Sequence, residues 1–293
     1  MGTIILTPKA VQALVPAERR AYVRSLGRRA IGFKGLDRVS LWALGGRLIV
    51  PLVYGAYQRE RFDRIKGQCD LVLREGQWFL YATVNLPENA PVEVSDWLGV
   101  DLGIVNLATD SDGNTYSGGG VERIRQRYAS SRASLQRRGT KGAKKCLRRK
   151  AKRETAFRRH QNHCISKALV GRAKDTQRGI ALEDLKGIRE RVTVRHSQRA
   201  RHSGWAFAQL RSFVEYKARL AGVPVAAVDP RYSSQTCSDC GHRERANRKS
   251  QAEFVCCTCG FAANADWNAS VNLRLRALPG ACKSPVELVA LSS

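Results

Sequence analysis

Acidic residues are scarce in this chain, 25 Asp+Glu against 51 Lys+Arg, so a net charge of +26 has no internal counterweight. Such a chain repels itself unless a polyanion neutralises it, and an isoelectric point near 10.4 points to nucleic acid. Long apolar runs are missing too. No stretch approaches the ~20 residues of a membrane-spanning helix, which excludes a spanning role and argues against a membrane partner. The opening MGTIILTPKAVQALVPAERR lacks the basic region and longer apolar run of a secretory signal, so a reducing cytoplasm is expected. Nine cysteines in that setting are metal ligands or plain thiols before they are disulfides. What remains is a chain of 293 residues, 43% hydrophobic, long enough for one large domain and a smaller companion.

Residues 1–38 read as a short basic arm, because Pro8 and Pro16 interrupt any long helix. The runs VSLWAL, RLIVPLVY, QCDLVL and WFLYATVNL, separated by turn signals, predict a small antiparallel β-barrel over 39–88. PENAPVEVSD then supplies a linker at 89–96. A larger α/β domain opens at Trp97 with WLGVDLGIVNLAT, turns at DSDGN and forms a strand hairpin. Residues 121–160 carry 16 Lys and Arg against 2 Glu, a local charge of +14, in two helical pieces divided at GTKG. A charge run is often a solvated face, but +14 in so short a span calls for phosphate. GIALEDL and VPVAAVDP read as buried strands, with a basic loop from Arg189 to Arg201 between them and a helix ending near Leu220. Asn264 caps a last helix, ADWNASVNLRLRAL, over 261–280, and 281–293 form a loose tail.

Cys237-Ser-Asp-Cys240 and Cys256-Cys-Thr-Cys259 are two Cys-x-x-Cys knuckles, each followed by glycine and separated by residues 241–255. Each knuckle curls two thiolates onto one ion, and four soft sulfurs close a tetrahedral sphere with no position for water. One structural Zn²⁺ in a ribbon over 237–260 is the expectation; an accidental cluster or a redox pair is the competing use. Cys257 sits out of phase and stays unliganded, while Cys69, Cys146, Cys164 and Cys282 are scattered thiols.

Three carboxylates stand where an apolar strand or a first helical turn has little use for charge: Asp101, Glu183 and Asp266. A charge in an apolar strand is costly unless paired or metal-bound. Converging carboxylates can hold two Mg²⁺ ions, which activate water and stabilise the leaving oxygen in phosphodiester hydrolysis. Helix capping by Asp266 and salt bridges for the other two compete with that reading. Asp184 also competes with Glu183, although strand alternation faces the two oppositely. Trp42, Trp78, Trp97 and Trp205 read as core, and Trp267, beside Asp266, as a possible stacking surface.

VDLGIVNLAT, IALEDL and the block CSDCG, CCTCG, NADWNASVNL, in that order, resemble the three split RuvC motifs and zinc ribbon of the TnpB family. These are RNA-guided nucleases of bacterial insertion sequences, related to type V CRISPR effectors. The likeness spans about residues 39–278. It implies an RNase H-like (RuvC) nuclease domain over 97–236 and 261–280 with the zinc ribbon inserted, preceded by a wedge-like β domain. Asp101, Glu183 and Asp266 match the family's catalytic, Mg²⁺-binding positions. Guide RNA, double-stranded DNA target and RNA–DNA heteroduplex are the implied partners, in a bacterial cytoplasm at the nucleoid. The pattern departs in two places. Residues 1–38 are all that precede the first β run, where the family inserts a helical recognition domain among the wedge strands, and Asn264-Ala265 replaces the usual basic residue before Asp266. A truncated or repurposed member that binds RNA or DNA without cleaving it is the alternative function, and a DNA-transposing enzyme a more distant one.

Overall fold

The computed structural model describes residues 2–6, 21–26, 30–43, 46–74, 76–184, 207–278 and 287–288. The basic loop 189–201, Trp205, Cys282 and most of the expected tail lie outside them. The chain forms two compact units, Met1–Pro87 and Glu88–Ser293, each described by itself.

The first unit is a seven-stranded sheet in the order β2-β6-β7-β1-β5-β4-β3. Its strands are β1 (Gly2–Leu6), β2 (Ala21–Leu26), β3 (Ile31–Lys34), β4 (Arg38–Ala43), β5 (Gly46–Val53), β6 (Ile65–Arg74) and β7 (Gln77–Val84), with a short helix α1 (Ala56–Arg59) after β5. Val39, Leu41, Val50, Leu71, Trp78 and Leu80 form its core. One expectation changes here. The segment expected as an arm supplies β1, β2 and β3, and β1 joins the two halves of the sheet by pairing with both β5 and β7. Its signal is weak because GTIIL is only five residues and its partners lie far along the chain. Among the described residues the strands form a ladder with β2 and β3 at its two ends.

The second unit is built on a six-stranded sheet ordered β10-β9-β8-β11-β12-β15. These strands are β8 (Trp97–Asp101), β9 (Asn106–Asp110), β10 (Thr115–Ser117), β11 (Gly179–Glu183), β12 (Val225–Val228) and β15 (Glu287–Leu288). β8, β11 and β12 run parallel, so both of their faces are covered and they read as near-continuous apolar runs. Alternation sorts their side chains. Leu98, Val100, Ile180 and Leu182 pack against helices α3 (Lys141–Asp175) and α4 (Phe207–Ala221) through Ile165, Leu169, Leu210 and Val214. Trp97, Ala181, Ala226 and Val228 meet Leu273 and Ala277 of α5 (Ala265–Ala277) on the opposite face.

α5 crosses β8 at Gly99. A methyl group there would collide with the Ser270 carbonyl and lie 2.6 Å from Arg274 N. Both obstacles are backbone, so the helix must move as a body. Gly99→Ala is therefore expected to lower the melting temperature by about 5–10 °C in thermal unfolding followed by circular dichroism.

α2 (Gly119–Arg138) and α3 form a helical hairpin turned by Gly139, whose φ of 63° suits glycine, and capped by Thr140, whose hydroxyl accepts from Ala143 N. α2 buries no residue, and α3 buries only Ala143 before Asn162, after which it enters the core. The two acids of this stretch are already engaged, Glu122 with Arg125 and Glu154 with Arg132. The hairpin thus offers a solvated cationic surface anchored by the C-terminal half of α3. No helix among the described residues is long and apolar enough to cross a membrane.

Candidate active site

β8 and β11 end side by side, with Leu182 opposite Val100 in register, so the next residues, Asp101 and Glu183, are neighbours at the carboxyl ends of two parallel strands. By period two both face α5, as Gly99 and Ala181 do. Asp184 faces the other way and pairs with Arg211 of α4 at 2.9 Å, which accounts for its charge. The Asp101 and Glu183 carboxyls lie close enough to perturb each other. Burial first, then the Asp101 charge and the contact with it, push the Glu183 carboxyl well above the ordinary range, against the pull of Arg276. Burial raises Asp101 to about 6, although the contact with Glu183 lowers it; Asp266 pushes it up and Arg248 holds it down.

Asp266 lies in the first turn of α5. The Asn264 side chain caps that turn by accepting from Asp266 N and Trp267 N, so Asp266 itself is not the cap. Its carboxylate accepts from Asn106 Nδ2 at 2.9 Å and stands 3.7 Å from Arg248 Nη2. Its charge reaches both Asp101 and Glu183. The structure therefore brings two of the three expected carboxylates into contact and sets the third within electrostatic range. Among the described residues no three carboxylates close as tightly as the cysteines do. Neighbouring, partly buried acids that repel one another are a donor set suited to hard divalent cations such as Mg²⁺. Trp267 is held by its edge: its Nε1 donates to Ser111 O at 3.1 Å, and its ring centroid lies 6.3 Å from that of Phe261.

The upward shifts of Asp101 and Glu183 have a measurable consequence. A carboxyl whose folded pKa lies above its unfolded value binds more protons in the native state, so its stabilising effect is full at low pH and lost as pH rises. For Asp101 the window runs from 3.8 to about 6, and for Glu183 it opens at 4.5 and extends upward. Without added Mg²⁺ the melting temperature is expected to fall between about pH 5 and pH 8, and Glu183→Gln should flatten that slope in differential scanning fluorimetry. An unchanged slope in the variant would refute the assignment.

The four thiols Cys237, Cys240, Cys256 and Cys259 lie within 4.8 Å of one another. Cys237 and Cys259 Sγ are 3.7 Å apart, and Cys240 and Cys256 Sγ 3.6 Å. A tetrahedral ion with sulfur bonds of ~2.3 Å places its sulfurs about 3.8 Å apart, so the set fits Zn²⁺. The knuckles repeat one geometry: Gly241 N donates to Cys237 O at 3.0 Å and Gly260 N to Cys256 O at 3.1 Å, with both glycines in the left-handed region. The hairpin of β13 (Glu253–Val255) and β14 (Ala262–Asn264) connects the second knuckle to α5.

Several residues that pattern reading passed over hold this region together. Asn247, fully buried, donates to Gln235 O and His242 O and accepts from Cys257 N, so it ties the two knuckles. Asn268 of α5 donates to Thr236 O and accepts from Ser238 N, while Asn272 donates to Ser233 O and Thr236 O. Asn268 and Asn272 are four apart on one helical face, and that spacing is their only sequence signal. Asn106 lies inside the first motif, but nothing in the sequence links Arg248 to Asp266 across the fold.

Comparison with known proteins bears on this geometry. A family model described as a probable transposase matches residues 81–187, and a Cas12f1-like TNB domain model matches 207–273. A TnpB-like protein of Methanocaldococcus jannaschii is 30% identical over 181 residues, 59% of this chain and 63% of that protein. Over these residues the chain resembles the TnpB family. A CRISPR-associated endodeoxyribonuclease Cas12f1 of Sulfoacidibacillus thermotolerans is 32% identical to this chain over 220 residues, 69% of the chain and 51% of the relative. The chain thus spans about half the length of that relative. A cryo-EM structure of a Cas12f1-sgRNA-target DNA complex aligns with a TM-score of 0.51 at 18% identity, covering 89% of this chain and 69% of that one. At that identity the alignment establishes a shared fold with Cas12 effectors.

Proposed function

We propose that this chain is an RNA-guided, Mg²⁺-dependent DNA endonuclease of a transposable element, with Asp101, Glu183 and Asp266 as its catalytic residues. The observation that carries this reading is the adjacency of Asp101 and Glu183 at the carboxyl ends of neighbouring parallel strands, with Asp266 in range on α5. An enzyme that hydrolyses a phosphodiester needs charge stabilisation where oxygen charge develops. Two Mg²⁺ ions, when bound by these carboxylates, would supply that stabilisation and an activated water. The protein's own part is positional. Asp101 and Glu183 stand side by side at the strand ends, Asn106 fixes the orientation of the Asp266 carboxylate, and Arg248 offsets part of the negative charge.

The relatives include the Cas12f1 endodeoxyribonuclease and a putative RNA-guided DNA endonuclease of Escherichia coli, whose names support DNA as the substrate and RNA as the guide. The α2–α3 hairpin suits the backbone of such a duplex: its cations outnumber its engaged acids, and shape and charge are what a protein reads when base pairing supplies sequence. One Zn²⁺ on the four cysteines would brace the polypeptide between β12 and α5 and through it the position of Asp266.

The test is purification from the host with bound RNA, sequencing of that RNA, and assay of a matching duplex with Mg²⁺. Cleavage at the guided site is expected. A wild-type protein no more active than Asp101→Ala, with its own RNA present, would leave a non-cleaving RNA- or DNA-binding protein in place of a nuclease.

A further inference from the structure

Between β12 and the first cysteine knuckle runs Asp229-Pro230-Arg231-Tyr232-Ser233, where one residue stands out. Tyr232 is a bulky residue in the left-handed region, with φ of 63°, where glycine or asparagine would sit relaxed. The surroundings impose this conformation. Its carbonyl accepts from Gln235 N, Thr236 N and Thr236 Oγ1, and Asn272 of α5 holds the next carbonyl at 2.8 Å. The ring gains little from burial in return, since 50% of the residue is exposed. The Arg243 guanidinium lies 4.4 Å from the ring centroid and is itself fixed where Thr236 and Arg243 pair in a β-bridge. A fold that needed only the turn would be better served by glycine, so stability does not account for an aromatic ring here.

The ring's location suggests what does. β12 lies parallel to β11 with Val228 opposite Glu183, so the loop leaves the sheet at the edge where the acidic pair stands. The Arg276 side chain donates to Asp229 O and Arg231 O, 2.8 and 2.9 Å away, and its charge also reaches Glu183. A rigid, open aromatic ring backed by a guanidinium beside a phosphodiester site has the properties of a stacking platform for a base. The base must be unpaired and unstacked, because a continuous duplex already covers both faces of each base.

We propose that Tyr232, backed by Arg243, seats an unpaired nucleotide of the strand that enters the Asp101–Glu183–Asp266 site, an inference that rests on the nuclease reading. Tyr232 is then a positioning residue that sets which phosphate reaches the carboxylates.

The experiment uses the full chain and a single-stranded oligothymidylate carrying one 2-aminopurine, whose fluorescence is quenched on stacking, at salt high enough to suppress purely phosphate-driven binding. Wild type and Tyr232→Phe are expected to quench the probe, while Tyr232→Ala and Tyr232→Gly lose the quench and bind about tenfold more weakly. Tyr232→Gly should melt no lower than wild type, because it relieves the left-handed strain. Unchanged quenching and affinity in Tyr232→Ala would overturn the proposal. So would a large fall in the melting temperature of Tyr232→Gly, which would mean that the ring serves the fold. Guided-duplex cleavage is assayed separately on the same preparations: a wild type that quenches but does not cleave removes the nuclease reading and leaves the platform in place.

Discussion

Asp101→Asn is expected to lower Mg²⁺-dependent cleavage of a guide-matched duplex by about a thousandfold, or about 4 kcal/mol of transition-state stabilisation, with the fold intact. The substitution keeps the shape of the side chain and one oxygen acceptor beside Glu183. It removes the negative charge needed to hold a cation. It also removes one of the charges that raise Glu183, so the variant should melt no lower than wild type when Mg²⁺ is withheld. Asp184→Asn is the informative control. Asp184 is the adjacent carboxylate but faces Arg211, so its loss should cost stability and leave the single-turnover rate within a few fold. Single-turnover assays with saturating guide decide the matter. An Asp101→Asn rate within tenfold of wild type would remove Asp101 from the chemistry.

The second large effect concerns the four cysteines. Cys240→Ser is expected to release about one equivalent of zinc, measured by elemental analysis, and to lower the melting temperature by more than 5 °C, because structural zinc sites supply folding free energy directly. Cleavage should fall more than tenfold although no catalytic group is removed. The physical link is a chain of hydrogen bonds. The first knuckle positions Thr236 and Ser238, which bind Asn268 and Asn272, and these residues belong to the helix whose first turn carries Asp266. Asn268→Ala interrupts the link with the thiols intact, so it should retain zinc and lose part of the activity. Zinc loss with full stability and full activity would show that the cysteine segment does not support the acidic site.

Much of this geometry was legible before any coordinates. Alternation in IALED separates Glu183 from Asp184 onto opposite faces, and the pairing of Asp184 with Arg211 follows from that separation. The turn at Gly139, the Asn264 cap and the doubled knuckles each depend on local backbone chemistry, and local chemistry is what a sequence window records. The role of β1 was not legible, because GTIIL gains its meaning from strands dozens of residues away. The anchoring of Trp267 was not legible for a related reason: its hydrogen-bond partner Ser111 is distant in the chain.

By itself the sequence determined the charge that calls for a polyanion, the thiolate set with its spacing, and three carboxylates at the ends of apolar elements. Residue type and local periodicity encode all of these. Only the tertiary structure decided that Asp101 and Glu183 are neighbours, that Arg248 and Asn106 flank Asp266, and that Tyr232 is held strained and open beside them. The physical reason is common to all three. Hydrogen bonds and charge interactions act over a few ångströms, and which side chains come that close is set by strand register and helix crossing, which single-residue patterns do not record.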